Sequence, residues 1–126
     1  VLTRLLPFVF AFLVTAAYAA EPPAGARLVC TGQSVAVAFQ NPQAKSASVW
    51  AMDLQAHTDW LKANVVSFQR SGGDTVFFLE VTSPEGGSDG FRLTLRGMTA
   101  YASDMSPTSD QWETLDTLSC HSVSAD

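Results

Sequence analysis

A chain of 126 residues with 12 acidic side chains against 7 Lys and Arg carries a formal charge of −5. That sign argues against nucleic acid or an anionic membrane as a partner, because phosphates need Lys and Arg, and it suits a basic protein. The cysteine count is two, with no C-x-x-C spacing of a redox pair or thiolate metal site, so a structural Cys30–Cys120 disulfide is expected.

Residues 1–19 read as a secretory signal peptide. Arg4 gives the charged start, Leu5 to Val14 is an apolar run broken only by Pro7, and Ala17-Tyr18-Ala19 is an A-x-A cleavage site. The run is shorter than the ~20 apolar residues of a spanning helix, and no later segment approaches that length. The expectation is therefore a periplasmic or secreted bacterial protein with no membrane span after cleavage. Loss of 19 of the 126 residues leaves 107 and removes Arg4, taking the charge from −5 to −6. That is the size of one domain. On the chain-entropy model a bond closing so long a loop contributes about 4–5 kcal/mol.

Residues 20–27 form a flexible leader, since Glu21-Pro22-Pro23-Ala24-Gly25 has no apolar period. A single β-barrel domain is expected over 28–122, followed by a tail at 123–126. After Cys30, the side chains Val35, Val37 and Phe39 recur every second residue. They share one face of a strand, with Ala36, Ala38 and Gln40 on the other. Gln40-Asn41-Pro42 ends it.

Ser48 to Gln55 alternates again, with Trp50, Met52 and Leu54 on one side and Ala51, Asp53 and Gln55 on the other. The alternation predicts a strand, with a helix as the rival because alanine and leucine are frequent. Trp60-Leu61-Lys62-Ala63 predicts one helical turn. Val65–Gln69 and Thr75–Thr82 flank Ser71-Gly72-Gly73-Asp74, a hairpin signal. Phe77, Leu79 and Val81 share one face of the second run, and Val76, Phe78 and Glu80 the other. After a polar loop through Gly90, Phe91-Arg92-Leu93-Thr94-Leu95-Arg96 alternates most regularly, apolar in and polar out. A short strand at Thr99–Ala102 and a closing segment from Trp112 to Cys120 bring the total to seven or eight. The fold class is all-β, a small antiparallel barrel or sandwich with one disulfide.

Catalytic patterns are missing from the sequence. His57-Thr58-Asp59, with Asp53 nearby, is the one place where a histidine neighbours carboxylates. One His beside two Asp falls short of a convergent metal or acid–base site, so a solvated loop is the default. No G-x-S-x-G elbow marks a nucleophile, and Gly72-Gly73 and Gly86-Gly87 lack the context of a phosphate loop. No catalytic residue, metal ligand or cofactor is expected, which leaves a non-enzymatic binding domain. Trp50, Trp60, Met52 and Phe78 would line the cavity of a small-molecule-binding barrel, the alternative function. An exposed hydrophobic edge strand would point instead to a structural envelope module.

Cys30-x-x-x-x-Val35-x-Val37-x-Phe39 resembles the opening strand of the bacterial c-type lysozyme inhibitors. So does Tyr101-Ala102-Ser103-Asp104 followed by Trp112 and a closing cysteine. The resemblance implies an exported eight-stranded barrel that binds a basic protein, a c-type lysozyme. Binding would run through a loop carrying Tyr101, Ser103 and Asp104. The family's inhibitory loop resembles Ser-Gly-x-x-Tyr with a later lysine. Here Arg96-Gly97-Met98-Thr99-Ala100 precedes Tyr101, and no lysine follows Lys62.

Overall fold

The computed structural model describes residues 21–56, 59–105 and 112–124, with only the backbone of Met105 and Trp112. The segment expected to be a signal peptide, His57 and Thr58 lie outside the described residues. Eight strands follow one another: β1 (Leu28–Thr31), β2 (Val35–Phe39), β3 (Val49–Asp53), β4 (Leu61–Ser71), β5 (Asp74–Thr82), β6 (Ser88–Arg96), β7 (Thr99–Met105) and β8 (Trp112–Ser122). Each pairs antiparallel with the next, and β8 returns to β1, closing the barrel. The all-β antiparallel class holds, and the barrel is the form it takes.

The stretch from Leu28 to Phe39 is a hairpin. Cys30 pairs with Val37, and the chain turns at Gly32-Gln33-Ser34. Ser48–Gln55 contributes β3, and the strand prediction holds over Val49–Asp53. The helical turn predicted at Trp60–Ala63 is a correction. Leu61, Lys62 and Ala63 pair with Ala51, Trp50 and Val49 as the start of β4. A single turn of helix would satisfy few backbone groups by itself, whereas the ladder to β3 pairs them, and tertiary context overrides local propensity.

Alternation sorts the strands into an inside and an outside. Val37, Phe39, Phe77, Leu79, Leu93 and Leu118 are fully buried within the barrel, joined by the Cys30–Cys120 disulfide. A small eight-stranded barrel fills its interior with such side chains. Burial of each large one stabilises by about 1.5–3 kcal/mol. Phe77 anchors the packing, with its ring 5.1 Å from that of Phe39 and 5.3 Å, edge-on, from that of Phe68.

A second apolar cluster lies apart from this core. It joins Ala26, Val29 and Ala38 to Trp50, Trp60 and Val123. The small side chains of Val29 and Ala38 leave room for the leader to lie against the wall. Trp60 Nε1 donates to the Glu21 carbonyl at 3.0 Å. Arg27 N–H donates to the Phe39 carbonyl at 2.8 Å, and Val123 N–H to the Arg27 carbonyl at 2.9 Å. The leader and the end of β8 thus meet at one end of the barrel, where the β2–β3, β4–β5 and β6–β7 connections also lie. The last two use Gly72 and Gly97 at φ of 61° and 62°, a conformation that a Cβ disfavours.

Candidate binding site at the barrel mouth

The opposite end carries the β1–β2, β3–β4 and β5–β6 connections and the mouth-side ends of β7 and β8. The inward phase of each strand continues toward it beyond the packed core. On β2 that phase runs from Val37 to Val35, on β5 from Leu79 to Val81, and on β6 from Leu93 to Phe91. These half-buried residues, with Ala51, Leu61 and Ala102, give apolar walls to a cavity of about 560 Å³ that opens to solvent.

At the rim the same phase turns acidic. Asp53 follows Val49 and Ala51 on β3, and Asp89 precedes Phe91 on β6. Asp104 follows Ala102 on β7, and Asp116 precedes Leu118 on β8. All four line the cavity, and no Lys, Arg or His is among its described lining residues. A cleft lined by one sign of charge with low-dielectric walls concentrates its field and draws counter-charge inward.

Two of these carboxylates also shape the rim. Asp116 accepts the N–H groups of Gln33, Ser34 and Val35 at 3.2, 2.8 and 3.2 Å and pins the β1–β2 turn. A Cβ on Gly32 would collide with that carboxylate, so the turn requires glycine there. Asp53 accepts from Gln55 and Ala56 N–H at 3.0 and 3.1 Å. On the β5–β6 side, Ser83 Oγ accepts the Gly87 N–H at 3.1 Å and Ser83 N–H donates to the Gly87 carbonyl at 2.7 Å, which orders the loop beside the cavity.

The three residues singled out for binding part company. Tyr101 is in mid-strand on β7, opposite Thr94 and Thr117, with its ring beneath the Arg96 guanidinium at 5.4 Å. Ser103 is 2% exposed and paired with Arg92 and Thr114, next to a bulge in β8. Asp104 alone of the three reaches the mouth. Residues 106–111, between β7 and β8, lie outside the described residues.

Among the four candidates for a cavity lining, Met52 alone contributes to this one, while Trp50 and Trp60 pack in the cluster beneath the leader. Asp89 and Asp116 were not evident as site residues from sequence. The signal that finds them is the in-phase continuation of Phe91-x-Leu93-x-Leu95 and of Leu118-x-Cys120 two residues back. Among the described residues no three His, Cys, Asp or Glu side chains are grouped to hold a metal ion, and no helix is long and apolar enough to cross a membrane. Comparison with family models, with curated proteins and with solved structures finds no match to this chain.

Proposed function

We propose that this chain is an exported, non-enzymatic binding domain that engages a basic protein at the barrel mouth. The observation that carries this is the ring of Asp53, Asp89, Asp104 and Asp116, drawn from four strands and lining one opening. Opposite charge steers association and fixes the orientation of approach. The closed ladder supports the same location, since a barrel with no free strand edge offers a partner no backbone to pair with.

A c-type lysozyme is the concrete basic partner to test. In a turbidity assay of cell-wall lysis, the protein should slow the enzyme at micromolar concentration. The effect should weaken with added salt, because charge steering is screened over about 10 Å at 0.1 M. Asp89→Asn and Asp104→Asn should reduce it, and Tyr101→Ala, on the outer wall, should leave it unchanged. No slowing of either a chicken-type or an invertebrate-type lysozyme removes the lysozyme form of the proposal. No retention of any basic protein on the immobilised domain removes the proposal itself.

A second reading, a small-molecule-binding barrel, is favoured by a different observation, the cavity of about 560 Å³ with its apolar walls. Small-ligand sites occupy roughly 300–1,000 Å³ and are lined chiefly by apolar groups with a few polar ones.

A further inference from the structure

We infer that the mouth cavity is a site for a linear amphipathic monocation, a primary alkylammonium. Its chain lies against Val35, Leu61, Val81 and Phe91, and its ammonium meets the rim carboxylates of Asp89 and Asp104. This deepens the small-molecule reading and rests on it.

Three features select that ligand class. The cavity is apolar below and acidic above. Its walls are the half-buried Val35, Val81 and Phe91, and one inward step deeper Val37, Leu79 and Leu93 are fully buried and close the floor. A ligand must therefore be apolar at the end that enters first and cationic at the end that stays at the rim. A carboxylate or phosphate headgroup would meet like charge from four strands, and a neutral headgroup would leave the field of the rim unused.

A metal ion is the other cation to weigh. Tight coordination draws six to eight oxygens to about 2.3–2.6 Å of calcium, or an octahedron about magnesium. No such grouping exists among the described residues. The carboxylates stand around an opening and not about a point, a spacing suited to an organic cation. An ammonium carries three donors, and Ser34, Ser83 and Ser88 at the same rim add acceptors beside the carboxylates.

The test is calorimetric titration of the purified protein with hexylamine, octylamine and decylamine below their micelle concentrations, beside octanol and octanoate. Affinity for the amines should rise about fourfold per added methylene, the increment for burying one CH₂. Octylamine should bind at least tenfold more tightly than octanoate at low ionic strength, with the gap narrowing in salt. Asp89 and Asp104 are exposed, so the double variant Asp89→Asn/Asp104→Asn should fold normally by circular dichroism. It should lose most of the amine preference while octanol binding stays as it was. Octanoate binding as tightly as octylamine overturns the alkylammonium assignment and leaves the small-molecule site standing. Amine binding that ignores chain length reduces the effect to surface ion pairing and overturns the assignment as well. If none of the five compounds binds, the small-molecule reading and this inference both fall, and the basic-protein proposal is judged on its own assay.

Discussion

Asp116 holds Ser34 at 2.8 Å across 82 positions of sequence. One carboxylate on β8 serves as acceptor for three consecutive N–H groups of the β1–β2 turn, linking the last strand to the first hairpin at the rim. Hydrogen bonds to a charged acceptor are worth about 1.5–3 kcal/mol each when sheltered, and less at a wet rim. Asp116→Ala should cost about 2–3 kcal/mol in chemical denaturation. It should also speed amide exchange at Gln33, Ser34 and Val35 more than at Phe77. Gly32→Ala, which displaces the carboxylate, should reproduce the exchange pattern.

Leu93 and Thr94 test the register of β6. Leu93 is fully buried inside the barrel, whereas Thr94 is half-buried between Val76 and Tyr101. Leu93→Ala should cost about 2–5 kcal/mol and Thr94→Ala no more than roughly 1. Equal losses in denaturant midpoint would contradict the assignment of faces.

The disulfide closes the barrel at directly opposed positions of β1 and β8, 90 residues apart. On the chain-entropy model, Cys120→Ala should remove about 4–5 kcal/mol. Non-reducing peptide mapping should recover the Cys30 and Cys120 peptides joined. Because both cysteines are buried, reduction of the folded protein should be slow in the absence of denaturant.

The bidentate pair at the far end gives a pH dependence of known sign. Arg96 Nε and Nη2 donate to the two oxygens of Asp74 at 2.8 and 2.9 Å. That hydrogen bonding, aided by the guanidinium charge, holds the Asp74 carboxyl below the usual carboxylate range. A carboxyl that ionises more readily folded than unfolded gives its full contribution above the unfolded pKa of about 3.9. The contribution disappears as pH falls through the lower, folded value. Asp74→Asn should therefore shallow the loss of stability on acidification below about pH 4, measured by denaturant midpoints, with a small amplitude because water screens the pair.

The barrel was legible where a period of two met a buried interior. Val35-x-Val37-x-Phe39, Phe77-x-Leu79-x-Val81 and Phe91-x-Leu93-x-Leu95 all supply inward faces. The signal fails at β3, where the bulky alternating set Trp50 and Met52 is out of phase with the core. The smaller Val49 takes the inward place and Trp50 packs beneath the leader. Bulk marks a buried face only when one face alone is covered, and here the barrel core covers the inner face while the leader covers the outer one. The rim carboxylates were hidden for a related reason. An aspartate in phase with the core counts as a break in apolar alternation until closure shows that the inward direction ends in an opening. Only Asp104 among the residues chosen by resemblance belongs to that opening.

Seven of the eight ladders join strands adjacent in the chain, and β1–β8 alone spans it. The seven hairpins can zip one after another, each closing a short loop, while the seam must wait for a contact of 90-residue separation. Until then the nascent sheet has two bare edges, β1 and β8, whose open N–H and C=O groups can pair with another copy as readily as with each other. Oxidation of Cys30 and Cys120 shuts that window from one side, since a cross-linked chain that reopens cannot part its two edges. Refolding yield should thus depend on protein concentration for the reduced chain and hardly at all for the oxidised one.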